Sequence, residues 1–151
     1  MQKIIVSDTS CLILLQKIHQ LNLLKELFGK VIITKEVEEE FDGNLPDFFE
    51  IQDARDPNYL KILQTFLDKG EASVIALALE FDDCLLIIDE IKGRKEAKSL
   101  GIKITGTLGL LLLAKEKKLI ENLEPLIRQI KDTNFRISKS LIDKVLVMAG
   151  E

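Results

Sequence analysis

Five acidic residues stand where acids in a strand-and-helix chain can work together. Asp8 follows the run Ile4-Ile5-Val6, Asp89 and Glu90 follow Leu85-Leu86-Ile87-Ile88, Glu71 opens the stretch Ala72 to Phe81, and Glu40 lies near the end of a segment containing Val37. Carboxylates that share a pocket raise one another's pKa, and a hard divalent cation relieves that cost by taking oxygen ligands. Mg²⁺ or Mn²⁺ held this way can bind a phosphate oxygen, lower the pKa of an attacking water and stabilise a leaving oxygen, which together amount to phosphodiester hydrolysis. Each acid also has a purely local reading. Asp8 and Asp89 could cap the helices that come after them, Glu71 could favour its helix dipole, and Glu40 belongs to the run Glu38-Glu39-Glu40, which as a charge run would be a solvated face.

The elements that must position these acids can be read from the apolar pattern. Ile4-Ile5-Val6, Val31-Ile32-Ile33, Leu85-Leu86-Ile87-Ile88 and Ile102-Lys103-Ile104-Thr105 read as buried strands. Helical spacing runs over Leu12 to Leu15, Leu21 to Phe28, Val37 to Phe41, Tyr59 to Leu67, Ala72 to Phe81 and Ile91 to Leu100, with Leu123 to Ile130 and Leu141 to Met148 closing the chain. Strands alternating with helices imply a parallel sheet covered on both faces, in which ligands bind beyond the carboxyl ends of strands. Gly29, Gly70, Gly101 and Gly106 are expected at element ends, and Asp42 to Pro57, with two prolines and several acids, is expected as an irregular surface excursion.

Length and composition narrow the class. A chain of 151 residues with 46% hydrophobic content suits one domain with one core, spanning 1–151. The most apolar stretch, Leu108 to Ala114, stops at Lys115, far short of the roughly 20 apolar residues a membrane span needs. No long apolar leader precedes Ser7, and Cys11 and Cys84 sit apart inside apolar runs as reduced thiols, so a cytoplasmic setting is expected. With His19 as the only histidine, a serine–histidine or cysteine–histidine mechanism has one imidazole to use, flanked by ordinary helix-surface residues. The net charge of −4 argues against a polyanion, yet setting aside Asp8, Glu40, Glu71, Asp89 and Glu90 leaves the rest of the chain at +1, and bound divalent cations would reverse the local sign.

Beyond the acids, several segments together resemble a known family. Val6-Ser7-Asp8-Thr9-Ser10 with Leu12-Ile13 after it resembles the opening strand and acidic signature of PIN domains, Glu71-Ala72 with Ala76 and Ala78 the third acidic motif, and Leu86-Ile87-Ile88-Asp89 the fourth. Gly70-Glu71-Ala72, Asp89-Glu90 with Arg94 and Ala97, Leu100-Gly101-Ile102, Thr105-Gly106-Thr107-Leu108-Gly109 and Phe135-Arg136-Ile137-Ser138 extend the resemblance over essentially the whole chain, toward a prokaryotic PIN-like group of nucleic-acid-binding proteins. The resemblance implies a three-layer α/β/α fold with a central parallel sheet, a Mg²⁺- or Mn²⁺-dependent ribonuclease site, and often the toxin role of VapC-like proteins, which pair with an antitoxin protein and form homodimers. It assigns the acidic roles to Asp8, Glu40, Glu71 and Asp89, with Glu90 as a further metal ligand and Glu39 as the alternative to Glu40. The third acid, often Asp in the family, is Glu71 here, one methylene longer.

Thr9 and Ser10 come directly after the first strand and could support a metal ligand or a phosphate, Ser10 being favoured, or simply cap a helix. Lys92, Arg94, Lys95 and Lys98 would face the RNA backbone or form a solvated face with Glu96, and Thr105-Gly106-Thr107 would offer amides to a phosphate. Two rival classes compete with the nuclease. An aspartyl phosphotransferase like the haloacid dehalogenases would need an acid two residues after Asp8, where Ser10 stands. An inactive PIN scaffold binding RNA or protein would not need every acidic position filled. Ile142, Val145, Leu146 and Met148 offer either a partner surface or core.

Overall fold

The computed structural model describes residues 3–151. Their elements run β1 (Ile4–Ser7), α1 (Thr9–Lys17), α2 (Leu23–Phe28), β2 (Val31–Ile33), α3 (Lys35–Glu40), β3 (Phe49–Ile51), α4 (Pro57–Leu63), α5 (Lys69–Ala78), β4 (Cys84–Ile87), α6 (Ile91–Ser99), β5 (Lys103–Thr105), α7 (Thr107–Glu116), α8 (Glu124–Lys131) and α9 (Lys139–Met148). The strands form one five-stranded sheet in the order β3-β2-β1-β4-β5, and every pairing is parallel. Helices cover both faces, giving the three-layer α/β/α arrangement that the strand–helix alternation predicts.

Short β-branched and leucine-rich runs form the central strands because both of their faces are covered. Val6, Val31, Ile33, Leu86 and Ile87 have no accessible surface, and each fully buried aliphatic side chain of this size contributes roughly 1.5–3 kcal/mol. On the helical side, α5 is buried at every position from Gly70 to Ala78 except Glu71, so the single charged residue on an otherwise apolar segment lies at its open end. No helix among the described residues is long and apolar enough to cross a membrane.

Strand register brings the two acidic strand ends side by side. Ile4, Ile5, Val6 and Ser7 of β1 pair with Cys84, Leu85, Leu86 and Ile87 of β4, and the Asp8 amide donates to the Ile87 carbonyl at 2.9 Å. From β1 the chain passes to β2 on one side, and β4 and β5 occupy the other. The carboxyl ends of β1 and β4 therefore flank the point where strand order reverses, where such sheets leave a crevice.

Two sequence expectations need correction, and one apolar stretch to which the sequence reading gives no element proves to be a helix. The segment expected to be irregular contains β3, a three-residue edge strand whose Glu50 and Ile51 are exposed, too short and too polar to show alternation. Leu108 to Ala114 is part of the helix α7, whose run of four consecutive leucines hides the 3.6-residue period. Gly70 lies within the first turn of α5 rather than at an element end, since α5 begins at Lys69 with Asp68 as its cap. Gly29 and Gly101, by contrast, come directly after α2 and close behind α6 with φ of 78° and 80°, as helix-ending glycines do.

Candidate active site

Asp8 is the N-cap of α1 and is almost fully buried. One of its oxygens accepts from the Cys11 amide at 3.0 Å, and the other accepts from the Asp89 amide at 3.1 Å, tying the end of β1 to the end of β4. Burial, then the neighbouring Asp89, pushes its carboxyl up to about 7. Capping α1 and a place between the two acidic strand ends thus coincide in one residue.

Asp89 does not cap the helix next to it in the chain. Its Oδ1 accepts from the Thr107 amide at 2.9 Å and its Oδ2 from the Thr107 hydroxyl at 2.6 Å, so Asp89 satisfies the start of α7 across the crevice. Of the amides in the turn Thr105-Gly106-Thr107, that of Thr107 is thus engaged by Asp89 rather than open to a phosphate. Burial raises the Asp89 carboxyl, opposed by the Thr107 bonds and the Arg94 charge. Glu90, exposed, occupies the N-cap position of α6 without making a side-chain cap bond.

Glu71 stands in the first turn of α5, where its amide is capped by Asp68 at 2.9 Å. The spacing Asp68-Lys69-Gly70-Glu71 matches a capping box, in which the glutamate would reach back to the cap amide. Its Oε2 instead is buried without a hydrogen-bond partner, pressed against α6, where a Cβ on Gly93 would come within 2.5 Å of it. Burial, then the adjoining Asp68 carboxyl, pushes Glu71 up to about 8, with Glu90 and Asp8 adding to the shift. Asp68 is thus a sixth acid of this neighbourhood that the strand-end reading overlooks; its signal is the cap position three residues before Glu71.

Glu40, the last residue of α3, is exposed at the rim. The Thr9 hydroxyl donates to its Oε1 at 2.5 Å, and the side chain lies directly over Gly70, leaving no room for a Cβ there. These contacts belong to Glu40, not to its neighbour Glu39. Ser10, expected to support a ligand, makes no hydrogen bond to an acid among the described residues and lines a hollow with Lys17 and Asn134 instead. Thr9 and Thr107 are the hydroxyls that hold carboxylates. Arg94 is half-buried, and its Nη1 donates to the Ile88 carbonyl at 2.8 Å, which fixes it beside Asp89, while Lys92 is exposed.

The arrangement excludes some chemistries. Cys11 is fully buried, and desolvation with Asp89 and Asp8 nearby keeps its thiol protonated well above the ordinary range. His19 lies beyond the far end of α1, about 15 Å of helix from Asp8. Neither supplies a nucleophile or base to the crevice. Among the described residues, no three His, Cys, Asp or Glu side chains are already disposed around one point as ion ligands. The donor set nevertheless suits a hard divalent cation: its charged donors are all oxygens, three of its carboxyls have raised pKa values, and one buried carboxylate oxygen lacks a partner.

A doubly wound parallel sheet with acids gathered beyond its two central strands defines a class of α/β domains whose chemistry sits at the strand-order reversal. Within that class, the chain belongs to the PIN-domain family, matching the DUF3368 family model, a PIN domain, over residues 4–151. PIN domains are generally nucleases and commonly use Mg²⁺ or Mn²⁺. No curated protein matches the chain.

Proposed function

We propose that the chain is a Mg²⁺- or Mn²⁺-dependent endoribonuclease, with Asp8, Glu71, Asp89 and Glu90 as ligands of the cation and Glu40 as the catalytic carboxylate at the rim, acting as a base. The observation that carries this reading is the Glu71 oxygen, buried and unpartnered among other acids. A buried polar atom left unsatisfied costs about 1–3 kcal/mol, and more if charged, so its persistence against Gly93 points to a ligand that satisfies it. When bound, the cation supplies Lewis-acid activation of the phosphodiester and of the attacking water.

The protein's own groups do the positioning. Thr107 clamps both oxygens of Asp89, the Cys11 and Asp89 amides hold those of Asp8, and each oxygen retains a further lone pair. Thr9 orients Glu40 over the rim, so that it can take a proton from water entering the crevice. Burial, and then the adjoining Asp68 carboxyl, raises the Glu71 pKa to about 8, a cost that a bound cation would relieve.

Purified protein incubated with cellular tRNA and rRNA is expected to cut RNA in Mg²⁺ or Mn²⁺ and to stop in EDTA. Metal-independent cutting, or no cutting of any RNA class, would overturn the proposal.

Gly93→Ala supplies a second test. The added Cβ meets Glu71 Oε2 and the buried end of Ile88, and the mobile partner of the two is the Glu71 side chain. The substitution gains about 1 kcal/mol of helix propensity in α6, which offsets part of the crowding against the buried Ile88, and a thermal melt in EDTA checks that the fold is retained. Displacing a ligand from its support is expected to raise the Mn²⁺ concentration for half-maximal cutting about 10–100-fold. An unchanged metal requirement would remove Glu71 from the ligand set.

A further inference from the structure

A groove of about 540 Å³ opens beside Asp89, between the β5–α7 corner and α9, with residues 135–138 along one wall. The acidic crevice does not account for its lining. In a chain of net charge −4, the groove presents Arg94, Arg136 and Lys144 against one carboxylate, Asp89. Arg94 is committed to the Ile88 carbonyl, but Arg136 and Lys144 are exposed and form no salt bridge among the described residues. Beside them lie apolar side chains open to water: Ile91 is 82% exposed, Met148 65% and Leu141 45%. Unpaired cations interleaved with exposed apolar groups complement a strand that is anionic along its backbone and apolar at its bases.

We propose that this groove holds the single-stranded RNA next to the cleaved phosphodiester, with Arg136 and Lys144 on successive phosphates and Ile91, Leu141 and Met148 against unstacked bases. The proposal rests on the nuclease reading of the crevice, because a strand threaded past Asp89 needs a path away from it and the groove shares Asp89 as a wall. A duplex keeps its bases stacked and offers them nothing to rest on here. Arg136 can grip a phosphate through two N–H groups, whereas Lys144 acts as a point charge.

The test is fluorescence anisotropy of a labelled oligouridine of about 12 nucleotides, a length within ordinary single-strand site sizes. The full chain is used in EDTA, so that no strand is cut, over a series of NaCl concentrations. Replacing Arg136 and Lys144 together by Ala is expected to weaken binding about tenfold or more and to flatten the slope of log K against log salt by about 1.4, the value for two lost contacts to a single strand. Replacing Lys17 and Lys131, exposed cations outside the groove, removes the same charge and is expected to leave the slope unchanged.

Equal slopes for both pairs would overturn the proposal and leave the groove to a protein partner. Absence of RNA binding by the unaltered chain would overturn it too. RNA cutting without groove dependence would overturn the groove alone, and groove-dependent binding by a chain that never cuts would overturn the nuclease reading alone.

Discussion

Asp89→Asn is expected to lower the rate of RNA cutting by about 10³-fold or more while leaving the protein folded. Removing one carboxylate from a divalent-cation site withdraws several kcal/mol of charge stabilisation, and each 1.36 kcal/mol is a factor of ten in rate. The substitution is clean for a local reason. Asparagine keeps an oxygen to accept from the Thr107 amide, and its NH₂ group takes the place of Oδ2, where the Thr107 hydroxyl can turn from donor to acceptor. Asp8→Asn lacks that freedom, since both Asp8 oxygens accept from backbone amides and an NH₂ group facing the Cys11 or Asp89 amide has no reversible partner. A loss of activity in Asp8→Asn therefore mixes site and fold, whereas in Asp89→Asn it reports the site. The measurement is single-turnover cutting in saturating Mn²⁺ together with a thermal melt. Activity equal to that of the unaltered chain would sink the assignment of Asp89, and lost activity with a collapsed melt would assign it to the fold alone.

The same asymmetry explains what the sequence could disclose. Asp8 and Asp89 are legible because each comes after a run of aliphatic residues long enough to read as a buried strand, and strand ends in a parallel sheet converge on one crevice. Glu71 is legible as a helix-opening acid, but whether it caps or faces the crevice depends on Gly93, which comes from another helix 22 residues later. That contact leaves no local pattern. Nor does the hold of Thr9 on Glu40, or of Thr107 on Asp89, because hydroxyls after a strand are equally common as caps. β3 and α7 escape detection for opposite reasons. β3 is too short and exposed for alternation to register, and α7 is so apolar that no polar face marks its period. The groove beside Asp89 is a tertiary product of β5, α6, α7 and α9, and the apolar residues near the C-terminus divide between core and surface accordingly. Ile142 and Val145 are buried, whereas Met148 is open.

In the absence of a divalent cation, Glu71→Gln is expected to make the protein more stable at pH 8 to 9, and the gain is expected to shrink as the pH falls toward 5. The folded chain holds Glu71 at about 8 against an ordinary value of 4.5, and Asp8 at about 7 against 3.8. A carboxyl with a raised folded-state pKa binds more protons folded than unfolded between those two values, so stability falls as pH rises through that window. For Glu71 the favourable contribution is complete below about pH 4.5 and gone above about pH 8. Gln removes the ionisation and its repulsion from Asp68, Glu90 and Asp8. Because the Glu71 side chain is only partly buried, solvent screening reduces the gain to about 1–2 kcal/mol at high pH. Thermal or urea melts in EDTA across pH 5 to 9 check the sign. A cation bound to the folded chain adds stability as RT ln(1 + [L]/Kd), so Mn²⁺ at pH 8 is expected to raise the melting point of the unaltered chain and to do so less for Glu71→Gln. A Gln variant no more stable than the unaltered chain at pH 8 would contradict the buried, unpartnered oxygen as a source of strain. Equal Mn²⁺ shifts in the two proteins would place the cation away from Glu71, and the crevice would then have to be rebuilt around Asp8, Asp89 and Glu90 alone.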